Sequence, residues 1–131
     1  MRSLMVGIAM LTASTAALAG GAEGVWKTEA DDKGSYLEVT IAPCDSDSTK
    51  ICGKISNAFT KQGADPKYAN LGKLMVEAME SSDAENYSGG TIWDPVHDKT
   101  FKSKMKLKGD DLDVSGCISI VCIGQDWKRV K

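Results

Sequence analysis

Four cysteines carry the most readily recruited chemistry in this chain, and their spacing decides between a metal site, a redox centre and covalent clips. Cys44 and Cys52 close the stretch "CDSDSTKIC", and Cys117 and Cys122 close "CISIVC". A four-thiolate zinc site wants two C-x₂₋₄-C pairs. The first pair here encloses seven residues and the second encloses four, so the first is too wide. A thioredoxin-like centre needs C-x-x-C, which does not occur. Three disulfide pairings exist on paper for four cysteines. The local one, Cys44 with Cys52 and Cys117 with Cys122, fits best because each pair brackets a segment short enough for a hairpin or tight loop.

Disulfides require an oxidising compartment, and the N-terminus supplies a route to one. "MRSLMVGIAMLTASTAALAG" sets an early Arg2 before an apolar run, then Ala17-Leu18-Ala19, the order of a secretory signal peptide. The run is too short for the ~20 apolar residues of a spanning helix. The reading is therefore a signal peptide over residues 1–19 and one mature domain over 20–131, exported to the periplasm or secreted. No later stretch is apolar enough to span a bilayer. Of 131 residues, removing 19 leaves 112, a single-domain length with a modest core that gains from covalent help. The whole chain carries 16 Lys and Arg against 18 Asp and Glu. That balance lacks the basic field of a nucleic-acid binder.

The remaining inventory does not assemble a catalyst. His97 is the one histidine and sits in the turn "DPVHDK" with Asp94 and Asp98, where aspartates usually cap their own backbone. There is no nucleophile elbow, HExxH pair or glycine-rich phosphate loop. The expectation is a non-enzyme with no catalytic residues, no cofactor and no metal.

These residues must be positioned by strands. "SYLEVTIA" alternates Leu37, Val39 and Ile41 with Tyr36, Glu38 and Thr40. "TFKSKMKLKGD" sets Phe101, Ser103, Met105 and Leu107 against Lys102, Lys104, Lys106 and Lys108, a lysine row that reads as a solvated outer face. "ICGKISNAF" continues the alternation through Ile51, Ile55 and Phe59, with Asn57 on the same face. Leu112 and Val114 follow a Gly109-Asp110-Asp111 turn, and "IGQDWKRVK" closes the chain. Short strands at such spacing suggest an antiparallel barrel or sandwich. One segment departs from period two: Leu71, Leu74, Met75, Ala78 and Met79 recur at helical spacing, predicting a short helix over 71–80.

Together "GVW", "CGKI", "GGTIWDP", "KTFKSKMKL", the later "GC" and "WKRV" resemble the domain-of-unknown-function 2147 family of small exported bacterial proteins with a lipocalin-like β-barrel. The resemblance runs from Gly24 to Val130. It implies an all-β, small antiparallel lipocalin-like barrel of about eight strands, with the short helix in an insert. It also implies barrel closure by Gly24, Trp26, Trp127 and Arg129, the Arg packing across the Trp where first and last strands meet. The chain carries Asp65-Pro66 where the family pattern has Asn-Pro, and Phe101 where it has a tyrosine.

A barrel of about eight strands either fills with side chains or keeps a small cavity. The leading expectation is a binder of a small apolar or amphipathic molecule. Asn57, Phe59, Phe101, Ser103 and Met105 are the ligand-binding candidates, Asn57 and Ser103 as orienting polar groups. The alternative is an envelope protein-interaction or inhibitor module with a solid core, working through a surface around Trp93 and Tyr87. Whether Ile92 or Trp93 faces inward depends on register.

Overall fold

Period-two sequences bury one face only when the sheet wraps on itself or meets another layer, and here it wraps. The computed structural model describes residues 21–131. The strands in chain order are β1 (Gly24–Lys27), β2 (Tyr36–Pro43), β3 (Ile51–Thr60), β4 (Gly63–Ala64), β5 (Leu74–Ser81), β6 (Asn86–Asp94), β7 (Lys99–Lys108), β8 (Asp111–Ile118) and β9 (Val121–Arg129). All pairings are antiparallel. The two-residue β4 only extends the edge of β3; the other eight form a ring in which β9 returns to β1 and β2 pairs with β3. The result is a closed up-and-down barrel. The expected signal peptide, residues 1–19, lies outside the described residues. Among the described residues no helix is long and apolar enough to cross a membrane.

Strand direction gives the barrel two different ends. One gathers residues 21–23, the connections 44–50, 82–85 and 109–110, and the C-terminus. It is closed. Trp26 is fully buried and donates its indole N–H to the Ala22 carbonyl at 2.8 Å. The Arg129 guanidinium lies 4.4 Å over the Trp26 ring and donates to the carbonyls of Glu23 and Gly21, each at 3.1 Å. The Tyr87 hydroxyl accepts the Ala22 N–H at 3.0 Å. Gly24 has φ +138°, and a Cβ there would stand 2.7 Å from the Lys131 carbonyl oxygen, so only glycine lets the chain end dock. Val39, Ile41, Ile55, Val76, Met79 and Leu112 fill the interior above this plug, all fully buried.

The helix predicted over 71–80 is not formed; Leu74–Ser81 is strand β5. The register of β5 against β3 slips twice, between Ile51 and Gly53 and between Gly53 and Lys54. Ala78 takes φ +57° at the first slip. Each extra residue shifts the alternation, so Met75, Val76 and Met79 all become buried. Apolar residues at i, i+1 and i+4 fit a helix face equally well, which is why the segment imitates one. Opposite β5, Gly90 is obligatory: a Cβ there would fall 2.2 Å from the Glu77 carbonyl oxygen.

Candidate functional site

The other end gathers the connections 28–35, 61–73 and 95–98 and the β8–β9 turn. It is open. Following the inward positions of β8 upward, Leu112 and Val114 are buried but Ile118 is 67% exposed. Along the facing strand β9, Trp127 is buried while Ile123 is 78% and Val121 63% exposed. The register pairs Leu112 with Trp127, Gly116 with Ile123 and Ile118 with Val121, so these side chains share one face. That face is the barrel's inner wall, left wet.

A cavity of about 390 Å³ lies against it, bordered by Met75, Ile92, Phe101, Val114, Ile123 and Trp127 among others. A second of about 370 Å³ adjoins it toward the β1–β2 loop, bordered by Leu37, Ala58 and Tyr68. Met75, Asp94, Pro95 and Gln125 border both, which makes the open half one continuous concavity. Gly116 widens it: a Cβ there would sit 3.4 Å from both Ile92 Cγ2 and Phe101 Cβ.

Asp94 stands where the two cavities meet. Its Oδ2 is 2.7 Å from His97 Nδ1, and its Oδ1 accepts the Val96 N–H at 2.9 Å. Burial works to raise its pKa, but the hydrogen bonds from the His97 side chain and from the backbone N–H groups of Val96 and His97 prevail and hold the carboxyl below its ordinary value. Asp98 does not pair with Asp94; its Oδ1 accepts the Trp93 indole N–H at 2.8 Å. Trp93 is thereby held on the outer face, with Lys73 Nζ 5.9 Å from its ring centroid, although it too borders the first cavity, and Ile92 is the residue on the inner face beside Phe101. Tyr87 is buried at the closed end and shares no surface with Trp93. Among the described residues, no group of three or more His, Cys, Asp or Glu is placed to hold a metal ion.

The sequence-derived ligand candidates divide. Phe101 borders the first cavity. Met105 is buried deeper, in the packed half. Ser103 is buried, but its hydroxyl donates to the Ser115 carbonyl at 2.7 Å and borders neither cavity. Asn57 and Phe59 do not point inward as expected. A bulge opposite Glu38 and Val39 inserts Ser56, so Asn57 pairs with Glu38 on the exposed face and donates to its carboxylate at 3.0 Å. The same shift puts Phe59 beside Tyr36, stacked at 4.8 Å, with only an edge at the second cavity.

Cys117 and Cys122 are directly opposed in the β8–β9 hairpin and are joined by a disulfide, Cα to Cα 4.0 Å; a second disulfide joins Cys44 to Cys52, Cα to Cα 4.9 Å. The first clips together the two strands that carry Ile118, Val121 and Ile123. These three, with Met75 and Gln125, were missed in the sequence as cavity-lining positions. For the hairpin residues and Gln125 the signal was present: carrying the alternation of Leu112 and Val114 forward, and that of Trp127 backward, reaches them; Met75 lies at a slip in β5, where the phase is reset.

A closed meander of eight antiparallel strands, plugged at one end by an Arg-on-Trp contact and hollow at the other, defines a lipocalin-like barrel. The chain belongs to the bacterial family described as "Uncharacterized protein conserved in bacteria (DUF2147)", whose pattern matches residues 24–129. Among solved structures it is similar to a protein described as "Protein HP1028 from the human pathogen Helicobacter pylori belongs to the lipocalin family". That match has a TM-score of 0.64 and 14% identity over 83% of this chain and 82% of that one, a likeness of fold. No curated protein matches its sequence.

Proposed function

We propose that the protein is a non-catalytic carrier that holds a small apolar or amphipathic molecule in the open half of its barrel. One observation carries the reading. Ile118, Val121 and Ile123 project toward a cavity of about 390 Å³ while remaining mostly exposed to solvent. Monomeric domains seldom leave a concave apolar wall wet without a use for it, and cavities of ~300–1,000 Å³ are the range in which small molecules bind. The lower half is solid and gives the wall a rigid base. The two disulfides suit an oxidising compartment, in keeping with export directed by residues 1–19.

The test is titration with the neutral dye phenylnaphthylamine, whose emission rises in apolar surroundings. Saturable one-to-one enhancement, displaced by a decyl-chain amphiphile, is expected. A flat response would refute the carrier reading.

A second reading, docking of a protein partner, is favoured by one feature. β9 pairs with β1 only at Trp26–Arg129 and Lys27–Lys128, leaving residues 121–125 without a strand on that side. Such an edge accepts an added strand, and Ile120, 93% exposed at the hairpin tip, stands beside it. The Asp126 N–H donates to Glu29 rather than to β8, and that of Gly124, two residues back, turns the same way. A proline replacing Gly124 would block strand addition, and with the Asp113 and Ser115 side chains turned aside from its ring would leave dye binding intact.

A further inference from the structure

Building on the carrier reading, we infer that the ligand is an amphiphile with a cationic head, the tail lying in the first cavity and the head in the second. The apolar concavity is the site; the charges on its wall set the sign of what it accepts. Asp94 is the one charged residue bordering the first cavity. The charged residues bordering the second are Glu29, Asp31, Asp65 and Asp94, all carboxylates. The lysines of this end, Lys33, Lys61, Lys67, Lys73 and Lys99, border neither.

Those carboxylates are held in place rather than neutralised. Glu29 accepts the Asp126 N–H at 2.8 Å, Asp31 accepts the N–H groups of Lys33 and Ser35, and Asp65 accepts that of Lys67. Backbone N–H donors position a carboxylate without pairing it to a cation. His97 contacts Asp94 from the rim with its side chain 70% exposed, and Lys128, which also feels Glu29, is engaged by Asp111 at 2.7 Å. Lys27 stands over the Tyr36 ring, whose neighbour in the stack is Phe59, so that ring is already engaged. Recognition therefore falls to the carboxylates, in a concavity whose low-dielectric walls concentrate their field. An anionic head would meet like charge there, with no lysine or arginine among the residues bordering the cavity.

The two-cavity arrangement fixes the ligand's polarity along the barrel. The walls of the first cavity are Ile, Val, Phe and Trp surfaces continuous with the packed core. The second opens through the loops 28–35 and 61–73. An alkyl tail enters first, and its head halts at the Asp94 level, where the lining changes from apolar to acidic.

Three amphiphiles with the same decyl tail separate the head from the tail: decyltrimethylammonium, decyl glucoside and decanoate, each used below its critical micelle concentration against the intact mature protein and followed by calorimetry. The ammonium compound should bind at least tenfold more tightly than decanoate, with the glucoside between them. Added salt should shrink that ratio by screening. The Asp94→Asn, Asp65→Asn double variant keeps one acceptor oxygen at each position and removes the charge; it should bring the ratio to within about threefold by weakening the ammonium compound relative to decanoate. Equal binding of all three, a preference for decanoate, or a ratio indifferent to salt would overturn the cationic head while leaving the carrier reading standing. Failure of all three to bind would overturn both.

Discussion

Replacing Ile123 with Ser separates a binding wall from a structural one. Ile123 lies on the inner face of β9 yet is 78% exposed, so the folded protein gains little from its side chain. Stability should change by no more than about 0.5 kcal/mol, as for surface positions generally. A ligand in the adjoining cavity would cover it. Full burial of an isoleucine side chain stabilises by roughly 1.5–3 kcal/mol, and the substitution removes most of that apolar surface. The dissociation constant for phenylnaphthylamine should therefore rise about 10- to 100-fold, at ~1.4 kcal/mol per decade. Urea denaturation and dye titration on the same preparation give both numbers. Leu112→Ala, two inward layers lower and fully buried, is the converse control: about 2–5 kcal/mol of stability lost through the cavity created. If Ile123→Ser lowers stability as Leu112→Ala does, the hairpin wall is core. If it leaves dye affinity unchanged, the wall does not bind. Either result would mean that Ile123 is not part of a ligand-binding wall.

Arg129→Met should destabilise by about 2–3 kcal/mol in urea melts, because the charged hydrogen bonds to Glu23 and Gly21 and the stack on Trp26 go together; Arg129→Lys should recover less than half. Replacing Cys117 and Cys122 by Ser should cost about 2 kcal/mol for so short a loop. It should also weaken dye binding, since the hairpin bearing three wall residues loses its clip. Asp94 has a folded-state pKa held below 3.8, so its stabilising contribution is present above that value and is lost as pH falls through the lower folded pKa. The difference in urea midpoint between wild type and Asp94→Asn should shrink as pH falls from about 5 through and below the ordinary carboxylate range, and a difference that grew with acid would reverse the assignment.

Much of the barrel was legible because alternation in β2, β7 and β8 is uninterrupted, and Leu37, Val39, Ile41, Met105, Leu112 and Val114 fall inward as read. Errors gather where a bulge resets the phase. Ser56 turns Asn57 and Phe59 outward, and the two slips in β5 produce the helix-like spacing of Met75 and Met79. A bulge adds one residue to one strand, and nothing local in the residue types marks it. Half of the site was hidden for a different reason. Ile118, Val121 and Ile123 sit between the two cysteines or beside them, where short apolar runs read as a clipped turn. Alternation carried past the cysteines reaches them, and the pairing of β8 with β9 confirms that their side chains continue the wall begun by Leu112 and Trp127.

The measurement that bears most directly on a hollow upper half is a methyl NMR titration with decyltrimethylammonium, isoleucine and valine methyls labelled. Saturable shifts are expected at Val114, Ile118, Val121 and Ile123, with Val39, Ile41 and Ile55 in the packed half unmoved. Shifts confined to outer-face methyls, or none at all with the protein folded, would contradict it.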